Sequence, residues 1–277
     1  MPPNKPAPTV TVEVERIGLS DGMREAGLRE APTETPVNIV YAPIPFAVMM
    51  CTPQDLEDFA IGFSFTEGII DSIADIRSVV VEEDEEQRGL RLVVSLASEK
   101  MQRHLARARN ISGRTGCGVC GIEDLGAMPC ARAITAAPFE LTTTSMSRSL
   151  DEIVAGQKLN EATGAVHAAA WCTPQGEVLA IREDVGRHNA LDKLIGHLLR
   201  GSVDPGSGYF VITSRCSFEM LEKVAAFGAR AVVAISAPTA LAIERARLHG
   251  VTLVAQARNG RALVFCGGQH VRVEAST

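Results

Sequence analysis

The hydrophobic period of the chain changes partway along its length. Early on, apolar and polar residues mostly alternate, as in a strand with one face in a core. Residues 10–15 follow this pattern, and residues 37–41 and 46–50 are apolar runs joined by Ala-Pro-Ile-Pro, which predicts a hairpin with a short loop. Residues 73–81 predict another strand, with the acidic run 82–86 as its solvated hairpin tip. Leu90, Leu92, Val94 and Leu96 then alternate with Arg91, Val93 and Ser95. One helix interrupts the strands. Thr52 reads as its capping hydroxyl, Pro53 as its first helical position and Asp55 as a first-turn carboxylate. Leu56, Phe59, Ala60 and Phe63 recur at i, i+3, i+4, i+7, so these aromatic residues are core, and the helix stops near Gly68. A basic helix over residues 98–110 carries Lys100, Arg103, Arg107 and Arg109 on a wet face.

From residue 147 helices and strands alternate. The pattern predicts helices over 147–162, 187–199, 218–227 and 238–249, and strands over 165–171, 178–181, 209–213, 231–235, 251–255 and 261–265. Leu191, Leu194, Ile195 and Leu198 mark the inner face of the second of these helices. Repeated β-α-β units with nearly continuous apolar strands predict a largely parallel sheet covered on both faces. Residues 126–138 show no sustained period and read as connector. Thr142, Thr143 and Thr144 break the apolar pattern, so a boundary is expected near residues 135–146. The expected division is a disordered leader over 1–9, marked by Pro2, Pro3, Pro6 and Pro8, a smaller β-rich α+β domain over 10–140, and an α/β domain over 141–277. The fold class is therefore α/β, and α+β for the whole chain.

Composition narrows the function classes. A chain of 277 residues can bury a large core, and 46% hydrophobic with 22% charged residues is ordinary for a soluble globular protein. A net charge of −6 lacks the basic excess of a nucleic-acid binder. No apolar run approaches the ~20 residues of a membrane span, and no apolar signal segment opens the chain. Seven cysteines in no paired framework fit a reducing cytoplasm better than a disulfide-stapled secreted fold. Neither a Gly-x-Gly-x-x-Gly nor a Walker sequence is present.

Residues 113–121 read Gly-Arg-Thr-Gly-Cys-Gly-Val-Cys-Gly. Four glycines in nine residues predict an exposed loop that can carry the thiols of Cys117 and Cys120. Arg114 favours thiolate, whereas Glu123 and Asp124 oppose it, which leaves a poised thiol. A structural zinc knuckle would need a second ligand pair. Cys51, Cys130, Cys172, Cys216 and Cys266 supply none, so no zinc site is predicted. A thioredoxin-like redox pair and a sulfur relay both remain open on spacing alone.

A ligand crevice is expected beyond the carboxyl ends of the α/β strands. Residues 184–189 join a strand to a helix whose first turn suits a phosphate. Ser214 and Arg215 occupy the next corner. Residues 256–261 (Gln256, Ala257, Arg258, Asn259, Gly260, Arg261) follow a strand and offer two guanidinium forks. Arg187, His188, Ser214 and Arg215 are thus candidate phosphate contacts, although Asp184, Arg187 and His188 also fit a helix cap with a solvated charge pair. His167, on an apolar strand, reads as a satisfied core histidine.

The cysteine motif resembles the signature of the FdhD family, the sulfur carriers that activate formate dehydrogenase. Thr-Glu-Gly-Ile-Ile at 66–70, Thr-Gly-Ala-Val-His-Ala-Ala-Ala at 163–170, Glu-Asp-Val-Gly-Arg-His-Asn-Ala-Leu-Asp-Lys at 183–193 and Thr-Ser-Arg-Cys-Ser-Phe-Glu-Met at 213–220 match as well. The resemblance spans residues 35–265 and implies a cytidine-deaminase-like architecture for the second domain. Deamination itself is excluded by the residues: His167 is followed by Ala168 and Ala169 where His-x-Glu is required, and Glu219 stands where Pro-Cys-x-x-Cys needs a cysteine. The resemblance implies a cytoplasmic sulfurtransferase that accepts sulfur from a cysteine desulfurase as a persulfide on Cys117, with Cys120 as helper. It delivers that sulfur to the molybdenum bis(molybdopterin guanine dinucleotide) cofactor of formate dehydrogenase. It further implies that residues 256–261 form part of the cofactor-binding turn, that GDP is a partial mimic of the bound cofactor, and that the protein is a homodimer. A dithiol oxidoreductase and a non-catalytic cofactor chaperone are the other classes these residues allow.

Overall fold

Two sheets and the helix pair between them organise the computed structural model, which describes residues 6–86, 88–99, 101, 131, 133–137 and 140–274. Cys117, Cys120 and Cys130, with most of the basic helix predicted over 98–110, lie outside the described residues. Ahead of both sheets, β1 (Thr9–Ile17) and β2 (Arg24–Pro32) pair antiparallel in a separate ribbon. The sequence predicts only the first of them. β2 reads Arg-Glu-Ala-Gly-Leu-Arg-Glu-Ala-Pro and has no period because most of the ribbon is wet on both faces.

β3 (Thr35–Tyr41), β4 (Ile44–Cys51), β5 (Ile76–Asp84) and β6 (Gly89–Leu96) form a sheet in the order β4-β3-β6-β5. The predicted hairpin is β3–β4, and the acidic run begins inside β5 instead of lying wholly in its turn. Alternation along β6 is strict: Leu90, Leu92, Val94 and Leu96 are buried. They meet Leu56, Phe59, Ala60 and Phe63 of α1 (Leu56–Thr66), the face predicted from their spacing. The start of α1 is a correction. Asp55 takes the N-cap position at φ 52° with no side-chain capping bond. Thr52 is instead drawn to the other half of the chain, where its hydroxyl accepts from the Val185 N–H at 3.1 Å and its own N–H donates to Asp184 at 3.0 Å.

The larger sheet contains β8 (His167–Cys172), β9 (Val178–Asp184), β10 (Tyr209–Ile212), β11 (Ala231–Ala234), β12 (Thr252–Arg258) and β13 (Arg261–Cys266), in the order β13-β12-β11-β10-β8-β9. β7 (Leu141–Thr142) and β14 (Val271–Arg272) pair apart from it. Within the larger sheet only β10–β11 and β11–β12 are parallel. The expected parallel sheet is therefore mixed, because β8–β9 and β12–β13 are hairpins joined by short turns. Its strands divide their side chains cleanly. Trp171, Phe210, Ile212 and Val232 face α4 (Arg187–Arg200), α5 (Phe218–Phe227) and α6 (Ala240–His249). Ala170, Val211, Val233 and Val254 face α2 (Thr143–Gly156). The result is three layers. The single helix predicted over 147–162 is two: Gln157, at ψ 72°, ends α2 and precedes α3 (Lys158–Thr163). No described helix is long and apolar enough to cross a membrane.

α1 and α4 cross at two glycines. A Cβ on Gly62 would fall on the Asp192 carbonyl oxygen, and one on Gly196 on that of Asp58, so the backbones touch where any side chain would separate them. Polar contacts surround this crossing. Asp58 receives Arg182 Nη2 at 2.7 Å and Arg200 Nη1 at 2.9 Å, while Asp192 receives Lys223 at 2.8 Å and the Thr66 hydroxyl at 2.8 Å. Deepest is the pair Lys193–Asp184 at 2.6 Å, with both side chains fully buried. Lys193 also donates to the Thr52 carbonyl at 3.0 Å. Asp184 also receives the Gly186 N–H at 2.8 Å and Asn189 Nδ2 at 3.0 Å. Isolated charges at that depth would be expensive, and this pair persists because its donors and acceptors are met.

Candidate functional site

Strands β9, β10, β11 and β12 run in one direction, so their carboxyl ends share one end of the sheet. β8 runs the other way, which puts His167, its first residue, at that same end, opposite Asp184. The loops after β10 and β11 are tied there by the bridge Cys216–Pro238.

Two helices begin at this end without a side-chain cap: α4 behind Gly186 and α5 behind Ser217. Their uncapped first-turn N–H groups and positive dipole ends favour negative charge. Arg187 and His188 open α4, and neither Arg187 Nε nor His188 Nε2, both buried, has a hydrogen-bond partner. Glu219, on the first turn of α5, lies 3.6 Å from His188 Nε2 and accepts the Ser217 hydroxyl at 2.8 Å. Burial pushes the Glu219 carboxyl up, but His188, Ser217 and the Arg187 charge outweigh it, so the group lies below its ordinary value. His167 lies below its ordinary value as well, first through burial, then through the charges of Arg187 and Arg215. The two arginine charges, opposed in part by Asp184, add to the burial in disfavouring a charged imidazole there.

The predicted phosphate contacts Arg187, His188 and Arg215 converge here, and His167 and Glu219 join them. The core reading of His167 is overturned: it is only partly buried and lies within the field of two arginines. Its signal was topological, since only antiparallel pairing brings the start of β8 to the carboxyl ends of its neighbours. Ser214 is buried, and its hydroxyl donates to the Arg215 carbonyl at 3.0 Å. Asp184 faces inward to Lys193, so the cap-and-solvated-pair reading fails for that residue.

Residues 256–261 are the β12–β13 hairpin at the same end of the sheet. Arg258 lies opposite Arg261 across a two-residue turn whose Asn259 and Gly260 have φ 54° and 70°. Asn-Gly satisfies the positive φ that such a turn requires. Both arginines are exposed and form no ion pair among the described residues. Gln256 is exposed, whereas Ala257 is buried against the α2 side of the core.

The described thiols are poor nucleophiles. Burial pushes Cys172 and Cys216 up to about 12, and Cys51 and Cys266 are raised, again chiefly by burial. No group of three or more potential metal ligands occurs among the described residues.

Comparison with known proteins follows the same lines. The chain matches the model of the FdhD/NarQ family over residues 32–272. It is 44% identical over 251 residues to the sulfur carrier protein FdhD of Xanthomonas euvesicatoria pv. vesicatoria, covering 90% of this chain and 89% of that one. It is 42% identical over 247 residues to the protein of the same name from Cupriavidus necator, covering 89% and 85%. Its fold is similar to the crystal structure of a protein from Desulfotalea psychrophila proposed to be a formate dehydrogenase accessory protein. The TM-score is 0.74 at 24% identity, with 95% of this chain and 99% of that one covered.

Proposed function

This chain belongs to the FdhD/NarQ family, and we propose that it is a sulfur carrier in the maturation of formate dehydrogenase. The observation that carries the proposal is the glycine-flanked Cys117-Gly-Val-Cys120 in a chain 44% identical to a protein named as a sulfur carrier. The raised pKa of every described thiol supports it, because thiolate chemistry at neutral pH then falls to the remaining cysteines. In the first step the Cys117 thiolate attacks the terminal sulfur of a cysteine desulfurase persulfide. A new S–S bond forms on Cys117, the donor's S–S bond breaks, and the donor cysteine leaves as thiolate. Cys120 assists release. The acceptor is the molybdenum bis(molybdopterin guanine dinucleotide) cofactor, a polyanion whose phosphates match Arg187, His188 and Arg215, the α4 first turn, and the Arg258–Arg261 hairpin.

Labile sulfur on the purified protein, measured after incubation with a desulfurase and cysteine, tests the first step. Wild type should load and Cys117→Ala should not. A disulfide between Cys117 and Cys120 in place of labile sulfur would favour the oxidoreductase. Full client activation by Cys117→Ala would favour the chaperone. Calorimetric titration of GDP tests the second step. A bidentate guanidinium–phosphate contact is worth about 1.5–3 kcal/mol, so Arg261→Ala should weaken GDP binding roughly ten- to hundredfold while sulfur loading survives. Equal affinity in both proteins would remove Arg261 from the site.

A further inference from the structure

Residues 131 and 133–137 are neither helix nor strand, yet two charged side chains hold them. The Ala131 N–H donates to Glu222 of α5 at 2.6 Å. Arg230, in the turn between α5 and β11, donates to the Ile134 carbonyl at 2.9 Å and to the Ala136 carbonyl at 2.5 Å. Both side chains are braced from α6. Glu222 is buried, with His249 Nε2 at 3.0 Å and Arg245 Nε at 3.5 Å. Arg230 also donates to the His249 carbonyl at 3.3 Å. A connector must satisfy its backbone groups, and water or other backbone serves for most of them. Here ionised groups do so, and such bonds are roughly twice as strong as neutral ones.

The hold decides which face of the larger sheet the chain sets out from. α5 begins at the end of the sheet that holds Arg187 and His188, so Arg230 stands at the far end. Glu222 lies on α5 one turn behind Glu219. From Ala136 back to Ala131 the strap therefore climbs α5 towards the first turns of α4 and α5. Ala131 and Ile134 pack on the α4–α6 face of the sheet. Leu141, in the next strand, packs on the α2 face. On the other flank of the cysteine motif, Met101 packs against the core beneath α1, the helix that crosses α4. We propose that Glu222 and Arg230 are positioning residues, which fix the tether of Cys117 and Cys120 to the α4–α6 face. The proposal rests on the sulfur-carrier reading and adds to it what sets the reach of the thiol.

Cys120 lies 11 residues from Ala131 and 21 from Leu141. The effective concentration of a tethered group falls roughly as the −3/2 power of tether length. Freeing the strap should therefore lower it about two- to threefold, before the change of face is counted.

Crosslinking measures that reach without sulfur transfer. In the full chain carrying Cys120→Ala and Cys130→Ala, a thiol is introduced by Leu241→Cys or by Val154→Cys. Leu241 is exposed on the first turn of α6, and Val154 is exposed on α2. Under oxidised glutathione, the disulfide from Cys117 within one chain should form faster in the Leu241→Cys protein. Ala131→Pro deletes only the N–H that Glu222 accepts. Combined with Arg230→Ala, it should slow the Leu241→Cys product about two- to threefold. Glu222→Gln keeps an acceptor for Ala131 and should leave the rate as it was. Equal rates with and without the anchor, or a faster Val154→Cys product in the anchored chain, overturn the proposal. Should the double variant unfold, Ala131→Pro decides alone, since α5, α6 and their ion pairs stay intact. Labile-sulfur loading of Cys117 from glutathione persulfide, measured with Cys120 and Cys130 in place, should be equal in anchored and freed chains. Loading that falls in step with crosslinking would reduce the anchor to a structural contact and overturn its positioning role. A wild type that never loads would refute the sulfur carrier, while the crosslinking rates still decide the anchor.

Discussion

At the residue scale, the motif over 183–193 divides its labour by direction. Asp184, Asn189, Asp192 and Lys193 are buried and hold the two sheets together, while Arg187 and His188 are half-buried, with Arg187 Nε and His188 Nε2 lacking a hydrogen-bond partner. Removing one partner of a buried pair leaves an uncompensated charge, so Lys193→Ala should cost roughly 3–5 kcal/mol of stability in chemical denaturation. Asp184→Asn should cost a similar amount, because both carboxylate oxygens accept from donors and the new amide N–H groups would face two of them. The stability linked to His167 depends on pH. Its folded pKa lies below the ordinary value of 6.5, so the unfolded chain binds the proton more readily. Its contribution to stability is complete above pH 6.5 and is lost as pH falls from there through the lower folded pKa. An anion in the crevice raises the His167 pKa, so GDP should bind with proton uptake below neutrality, and His167→Gln should abolish that uptake in calorimetry run in two buffers. The place of the arginines was legible from the sequence because strand ends follow from local pattern, whereas the cysteine motif lies outside the described residues. The place of His167 was not, because its charged neighbours Arg187 and Arg215 open a helix and sit in a loop, and they reach it only through a strand pairing that alternation leaves open.

At the scale of elements, helices and strands that keep a period emerged with the right type, and the failures share a cause. β2 has no period because it has no dry side. The break at Gln157 and the cap at Asp55 depend on what each segment packs against, and Thr52 serves Asp184 and Val185 instead of its own helix. The mixed sheet has the same origin, since apolar continuity marks burial on both faces and carries no direction. The α1–α4 crossing was invisible for a further reason: its signal is the pairing of two glycines 134 positions apart in sequence. In an exposed helix, glycine to alanine would stabilise by up to about 1 kcal/mol. At Gly62 or Gly196 the added carbon meets backbone, and overpacking of this kind typically costs about 1–3 kcal/mol. Thermal melts of Gly62→Ala and Gly196→Ala should therefore fall, while Gly27→Ala, with open space around it, should not.

At the scale of the whole molecule, the two sheets share their most deeply buried polar groups, so neither has a complete interior without the other. Circular dichroism and tryptophan fluorescence should report one coincident unfolding transition, although Trp171 sits in the larger sheet alone. Two separated transitions would show that the crossing is weaker than its geometry implies. Under the proposed function, residues 184–193 both meet the ligand and bolt the two sheets together. A substitution there is judged twice, once by the fold and once by the cargo, and a change acceptable to one is rarely acceptable to the other. In a saturation library selected for client activation, residues 184–193 should tolerate fewer replacements than either requirement alone would forbid. New ligand specificities should then arise first at the β12–β13 turn, whose side chains answer to the ligand alone.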